Sequence, residues 1–455
     1  MELIRANVTM LKAPPSYLRV ASALSIALLI FPSALSQSKE KPKLNDFGSS
    51  LKRLKWDPNQ NAVVETKPNS KARTKATGDD VVRVETSLVV SDVLVVDAHG
   101  QAIQGLTAKD FSVTEDGETQ QVAMFSPGDN TTLPRSIVLI MDYSCMQLPF
   151  LQTSVTAAKT LVAKLGPTDR MAIVTDDIEL LVNFTNNKGR LKDGLDSLIK
   201  RTGVSGWHAL PEFDQRPVPF GRGFQFSALM AVLREAFDDE DLRPIVVFQT
   251  QGTEAHILQN PILMPPIPTG LSAGMKSEME RAQKHHQGYM RRNKREFSLN
   301  DVYRTAETSR ATIYTVVPGF RLIGLSVDEQ ITQMRAWNDR VISLPLMTQR
   351  ARKETLNLPR DILQWEAEDT VTLQSALAVL STITGGWIEF LNQTSQAPEI
   401  YSRIVSDMSQ RYLVGYYSTN KMHDGKRRKI SITIRHHPDY VVMGRKAYYA
   451  PTADE

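Results

Sequence analysis

From Val81 onward the chain alternates between two hydrophobic patterns. Along VVRVETSLVVSDVLVVDAHG, Val82, Val84, Thr86, Leu88 and Val90 alternate with more polar neighbours. That is the period of a strand buried on one face. Gly100 in DAHGQ marks a turn. FSVTEDGETQQVAMF then predicts two short strands joined at Asp116-Gly117, a dipeptide suited to a tight hairpin. Residues 81–128 therefore predict a small β unit.

At Ser136 the pattern changes. SIVLIMD is a continuous apolar strand, as expected where helices cover both faces of a sheet. SVTAAKTLVAKLG predicts a helix with Ala157, Ala158, Leu161, Val162 and Leu165 on one face and Gly166 at its end. RMAIVT is a strand and DDIELLVNF its hairpin return. LKDGLDSLIK and SALMAVLREAF predict helices, with PIVVFQT as a strand after the second. LNDVYRTAETS leads into ATIYTVV, and VTLQSALAVLSTIT leads through Gly385-Gly386 into WIEF. Alternating strands and helices over residues 134–392 imply a doubly wound, mostly parallel sheet.

Two stretches interrupt this series, residues 255–298 and 319–370. In an α/β fold such insertions sit in loops over the sheet edge, where binding surfaces form. The first contains NPILMPPIPTG and a basic cluster, Arg281–Arg295, which reads either as a solvated helix or as a surface for an acidic partner. His285 and His286 are adjacent, so on a helix they point apart and do not form a ligand pair. Residues 393–455 return to β: the helix APEIYSRIVSDMSQ precedes YLVGYYS, RKISITIRHH and YVVMGRKAYYAP, with KMHDGKR as a turn. A two-strand unit at either end is marginal alone, so these strands are expected to pack with residues 81–128. The fold class expected is α/β, with a flanking β unit built from N- and C-terminal strands.

Composition refines this picture at the N-terminus. The 455 residues, 41% hydrophobic and 23% charged, suffice for two or three domains. In residues 1–36, Arg5, Lys12 and Arg19 precede the apolar run VASALSIALLIFP and the small residues Ala34 and Ser36. This is the pattern of an export signal cleaved near Ser36. Val20 to Phe31 falls short of the roughly 20 apolar residues a bilayer span needs. Residues 1–36 hold three basic side chains and one acid, so the formal charge of +4 falls to +2 without them. Such a balance gives no reason to expect nucleic acid as partner. Residues 37–80, rich in Lys, Ser, Asn and Pro, read as a flexible linker. The protein is thus expected to be periplasmic or secreted, with no membrane span after signal removal. Its one cysteine, Cys145, has no partner for an intramolecular disulfide.

The candidate chemistry lies in IVLIMDYSCMQ, where the apolar strand stops at Asp142 and Ser144. In an open α/β sheet, ligands bind outside the carboxyl ends of the strands. A carboxylate and a hydroxyl there suit a hard cation with octahedral oxygen coordination.

IVLIMDYSCM and the series after it resemble a von Willebrand factor A domain, whose metal-ion-dependent adhesion site uses D-x-S-x-S, a distant threonine and a distant aspartate. The segments before and after, including TGGWIEF, YLVGYYSTN and DGKRRKISITI, are similar to those of the bacterial von Willebrand factor A-related family first described in acidobacteria. The resemblance covers residues 81–452 apart from the two insertions, and it implies the fold rather than one function. Asp142 and Ser144 match the first two positions of the site. Met146 stands where a third hydroxyl is expected, Ser227 falls at the threonine, and Gln251 replaces the aspartate. A thioether is a poor ligand for magnesium, and a neutral amide removes a charge beside the cation. The resemblance thus implies a degenerate site at Asp142, Ser144 and Ser227, with Mg2+ or Mn2+ as candidate cofactors, none required. Asp176 and Asp177 sit at a hairpin turn, and turn chemistry explains them without a metal.

The reading that follows is an exported, non-catalytic adhesion or assembly module. It would bind a protein or a cell-surface polymer through Asp142, Ser144, Ser227 and Gln251, with weak or no metal dependence. A scaffold subunit docking through ILMPPIP is an alternative. A hydrolase using Ser144 and a distant histidine such as His208 is another, although the chain has no H-E-x-x-H or P-loop motif and Ser144 does not lie in a G-x-S-x-G.

Overall fold

The computed structural model describes residues 54–57, 62–65, 88–128, 134–144, 147, 150–202, 223–237, 243–258, single positions between 273 and 288, 295–342 and 360–452. The expected export signal, Cys145, Met146, His208, His285, His286 and the segment ILMPPIP lie outside these residues.

In the segment read as linker, β1 (Leu54–Asp57) and β2 (Ala62–Glu65) pair antiparallel. Trp56, Val63 and Val64 are strong strand formers on either side of Pro58-Asn59, a local signal that the polar average of residues 37–80 conceals. Next come β3 (Leu88–Val96), β4 (Phe111–Glu115), β5 (Glu118–Gln120) and β6 (Val122–Ser126). Asp116 and Gly117 both have positive φ and turn β4 into β5 as expected. QVAMF is not part of that hairpin: β6 leaves it and joins a different sheet.

The central sheet contains β7 (Ser136–Met141), β8 (Arg170–Thr175), β9 (Leu180–Thr185), β10 (Pro244–Gln249), β11 (Thr312–Pro318) and β12 (Ile388–Leu391), in the order β12-β11-β10-β7-β8-β9. Every pairing is parallel except β8 with β9. The helices are α1 (Leu151–Lys164), α2 (Lys188–Thr202), α3 (Gln225–Glu235), the single turn α4 (Ala255–Leu258), α5 (Leu299–Thr308), α6 (Val327–Ile342) and α7 (Arg360–Ile383). The period-two geometry of β7 sends Ile137, Leu139 and Met141 to one face, against Leu161, Val162 and Leu195 of α1 and α2. Val138 and Ile140 face the other way, against α3, α5 and α7. Each such side chain contributes roughly 1.5–3 kcal/mol by leaving water. The chain runs outward from β7 through β8 and β9, then restarts at β10 on the other side. The order in which strands are added therefore reverses between the parallel neighbours β7 and β10.

Residues after β12 form α8 (Ala397–Gln410), which packs on α1, and then β13 (Tyr412–Tyr417), β14 (Arg427–Ile434), β15 (Val441–Met443) and β16 (Ala447–Tyr449). YVVMGRKAYYAP is two strands in two sheets, because the chain breaks at Gly444, where a Cβ would collide with Val93. Sheets of order β15-β3-β13-β6 and β16-β14-β4-β5 enclose Val93, Phe111, Val113, Tyr412, Val414 and Ile430. The N- and C-terminal strands thus build one flanking β unit.

Arg411, fully buried between α8 and β13, ties that unit to the central sheet. Its guanidinium donates to Asp407 at 2.8 Å, the Tyr314 hydroxyl at 2.9 Å, and the carbonyls of Gly385 and Asp92. Asp407 also accepts from the Trp387 indole at 2.7 Å. A buried arginine is tolerated only with its donors satisfied, and this one bridges four segments distant in sequence.

Candidate functional site

β7 and β10 end side by side at the point where the strand order reverses, and a carboxylate emerges from the first. Asp142 is 1% exposed. Its backbone N–H donates to the Gln249 carbonyl at 3.0 Å, which fixes it to the neighbouring strand. One carboxylate oxygen accepts from the Ser144 N–H at 3.0 Å. The other accepts from the Thr250 hydroxyl at 2.7 Å and the Gln225 amide at 3.1 Å. Gln225 opens α3, and Thr250 follows β10. Ser144 Oγ is buried without a well-aligned hydrogen-bond partner among the described residues, yet it lies near enough to favour an ionised Asp142.

Asp176, at the β8–β9 turn, joins this group. It is fully buried and accepts from the Tyr143 N–H at 3.2 Å and the Gly223 N–H at 2.8 Å. Its own N–H donates to the Met141 carbonyl at 3.1 Å. Sequence position alone made Asp176 a turn residue. The strain of that turn is carried instead by Ile178, at φ 66°. Asp177 accepts from the Tyr143 hydroxyl at 2.8 Å and lies against Thr175. Burial raises the pKa of both Asp142 and Asp176. Asp176 rises further because the Asp142 charge lies beside it, while three donated hydrogen bonds oppose the shift at Asp142.

The other residues singled out by sequence are placed differently. Ser227 donates its hydroxyl to Glu254 at 2.7 Å, and its N–H donates to the same carboxylate at 2.9 Å. Glu254 also pairs with Arg295 at 2.6 Å. Gln251 turns away from Asp142 and donates to the Pro318 carbonyl at 2.9 Å. Gln225, Thr250, Asp176 and Glu254 were not singled out as site residues. Their shared signal is a polar side chain directly after a buried strand or at a helix start near a glycine, too common a pattern to stand out.

Beside Gln251 the second insertion contributes an aromatic wall. Phe150 stacks on Trp337 with centroids 5.3 Å apart, and Phe320 tilts onto Trp337 at 5.9 Å. Arg340 lies over the Phe150 ring. Gly319, at φ 140°, brings the end of β11 close to Gln251 and Phe150. α6 thus rims the site.

The donor set does not fit a divalent cation held as in an adhesion site. Both Asp142 oxygens are filled by the chain's own donors, one by the Ser144 N–H and the other by an amide and a hydroxyl. Ser227 is committed to Glu254, and Gln251 to Pro318. Here the positive ends of hydrogen-bond donors take the part that a cation plays in a metal-bound carboxylate cluster.

No protein-family model matches the chain, and no curated protein matches it. Solved structures do. A conserved hypothetical protein BatB from Bacteroides thetaiotaomicron is 11% identical over 60% of this chain and 98% of its own, with TM-score 0.29. A von Willebrand factor type A protein from Catenulispora acidiphila is 8% identical over 82% of this chain and 76% of its own, with TM-score 0.29. The manganese-loaded TRAP protein of Plasmodium vivax is 10% identical over 74% of this chain and 98% of its own, with TM-score 0.26. The strand order and the antiparallel edge strand make this an α/β fold, with a six-stranded, mostly parallel sheet beside separate antiparallel sheets.

Proposed function

We propose that this chain is an exported, non-catalytic interaction module of adhesion or assembly type. It engages a protein or cell-surface polymer through the loops around Asp142, and it does so without a required metal. The observation that carries this reading is the internal closure of the site. Three donors of the chain's own hold Asp142, which fixes the loop after β10 and the start of α3 as one rigid surface. A hydrolase would need an acceptor ready to take the Ser144 proton. The neighbouring carboxylate already receives three hydrogen bonds, which favours a recognition surface over a nucleophile.

The test is retention of envelope proteins and surface polysaccharide on the immobilised chain. Gln251→Arg changes the rim without touching the Asp142 bonds, and Lys192→Glu on the exposed face of α2 is the control. Loss of a retained species on the first variant alone supports the reading. Equal retention on both variants contradicts it.

A further inference from the structure

Among the described residues the flanking β unit is open along one side. β16 pairs only with Arg427–Lys429 of β14, and β15 is the outermost strand of the other sheet. Ile430 donates its N–H to the Lys446 carbonyl at 2.8 Å. Strand backbones alternate sides, so the N–H and C=O of Ile432 point the same way as those of Ile430, past the end of β16. There they meet no strand among the described residues. On β15, Met443 directs its carbonyl inward to Arg411, so Val442 presents its backbone outward, where only the Lys446 ammonium reaches its carbonyl, at 3.2 Å. The half-covered residues Ile432 and Val442 line a cavity of about 270 Å³, beneath which Val93 is fully buried.

The mouth of this cavity is basic. Lys429, Arg445 and Lys446 line it, and none of the three has a carboxylate partner among the described residues. Lys429 and Lys446 are exposed, whereas Arg445 is buried and hydrogen-bonds the Ser309 carbonyl. Burial and the nearby Arg310 both disfavour its charge. The carboxylate of Glu307, which opposes them, is held bidentately by Arg427. Two open strand edges, an apolar floor and uncompensated positive charge occur together at one place.

We propose that the cleft between β14 and β15 receives an extended acidic segment of a partner protein. The segment would add as a strand to the free edge at Ile432 or Val442, seat an apolar side chain between these two residues, and place carboxylates on Lys429, Arg445 and Lys446. Main-chain hydrogen bonds supply affinity in such strand addition, and alternate side chains supply specificity. This surface lies on the flanking unit and does not depend on the function assigned to the Asp142 site.

The probe is an end-blocked, fluorescent eight-residue peptide of alternating Val and Glu, titrated into the whole chain. A Val-Lys peptide and octanoate serve as comparisons. Saturable binding of the Val-Glu peptide is expected, with slowed amide exchange at Ile432 or Val442. Lys429→Glu with Lys446→Glu, both at exposed positions, should weaken that binding at least about tenfold. The proposal is overturned by any of three results: no saturable binding, equal binding of the Val-Lys peptide, or unchanged affinity in the double variant. Binding of octanoate without the peptide would make the cleft a site for small amphipathic anions and would overturn it equally.

Discussion

Asp142 has room to lose a charge but not a shape. Asp142→Ala leaves the Gln225 amide, the Thr250 hydroxyl and the Ser144 N–H without their acceptor. We expect a loss of about 1–3 kcal/mol in chemical denaturation, the scale of buried polar groups left unpaired. The same change removes the negative charge beside Asp176, so the pKa of Asp176 should fall towards the ordinary carboxylate range, a shift that carboxyl NMR titration reads directly. Arg411→Met removes a fully buried cation and strands Asp407, and we expect about 3–5 kcal/mol of destabilisation by the same measurement. At this scale the sequence was half legible. An aspartate ending an apolar strand announces a site, because a charge is costly at the end of a buried segment. What that aspartate touches depends on Gln225 and Thr250, 83 and 108 residues away. No local pattern distinguishes Gln225 from Ser227 as the residue that turns inward.

Elements were read most reliably where burial imposes a period. β7, β8, β10 and β11 are buried throughout because helices cover both faces, and all four are read as strands from their apolar cores. α7 was read from Val371, yet it starts at Arg360. Its first turns carry Asp361, Gln364 and Glu366 and pack only against the second insertion, so their apolar stripe is thin. Glu366 sits in that packing, near Asn338 and Asp369, and burial lifts its carboxyl from 4.5 to about 7. A carboxyl raised in the fold stabilises while protonated. The contribution is therefore full below pH 4.5 and is lost as pH rises through about 7. We expect α6 and α7 amides to show lower protection, after correction for intrinsic base-catalysed exchange, at pH 8 than at pH 5.5, with the global effect limited to roughly 2–3 kcal/mol. Glu366→Gln should flatten this dependence. A steeper or unchanged dependence in that variant would rule the assignment out. Gly386 marks another limit of element reading: it reads as a turn residue, but a Cβ there would strike the Ile313 carbonyl across β11.

Across the whole molecule, two bodies share one chain that leaves the flanking β unit, builds the sheet and returns. Arg411 joins them by bonding the carbonyls of Asp92 and Gly385 at once. That return was foreseeable because neither terminal set of strands is stable alone, but the split of the last segment between two sheets was not, since it turns on the contact of Gly444 with Val93. Among the described residues no helix is long and apolar enough to cross a membrane. Two surfaces stand on this frame, the loops around Asp142 and the cleft between β14 and β15, and in the reading proposed above the chain's own donors complete the first of them. The direct measurement is a thermal melt of the wild-type chain and Asp142→Ala in magnesium, manganese, calcium or EDTA. A cation present at a hundred times its dissociation constant adds about 2.7 kcal/mol to the folded state. The same midpoint is expected in all four conditions for each protein. A cation-dependent rise in the wild type that Asp142→Ala abolishes would contradict that reading.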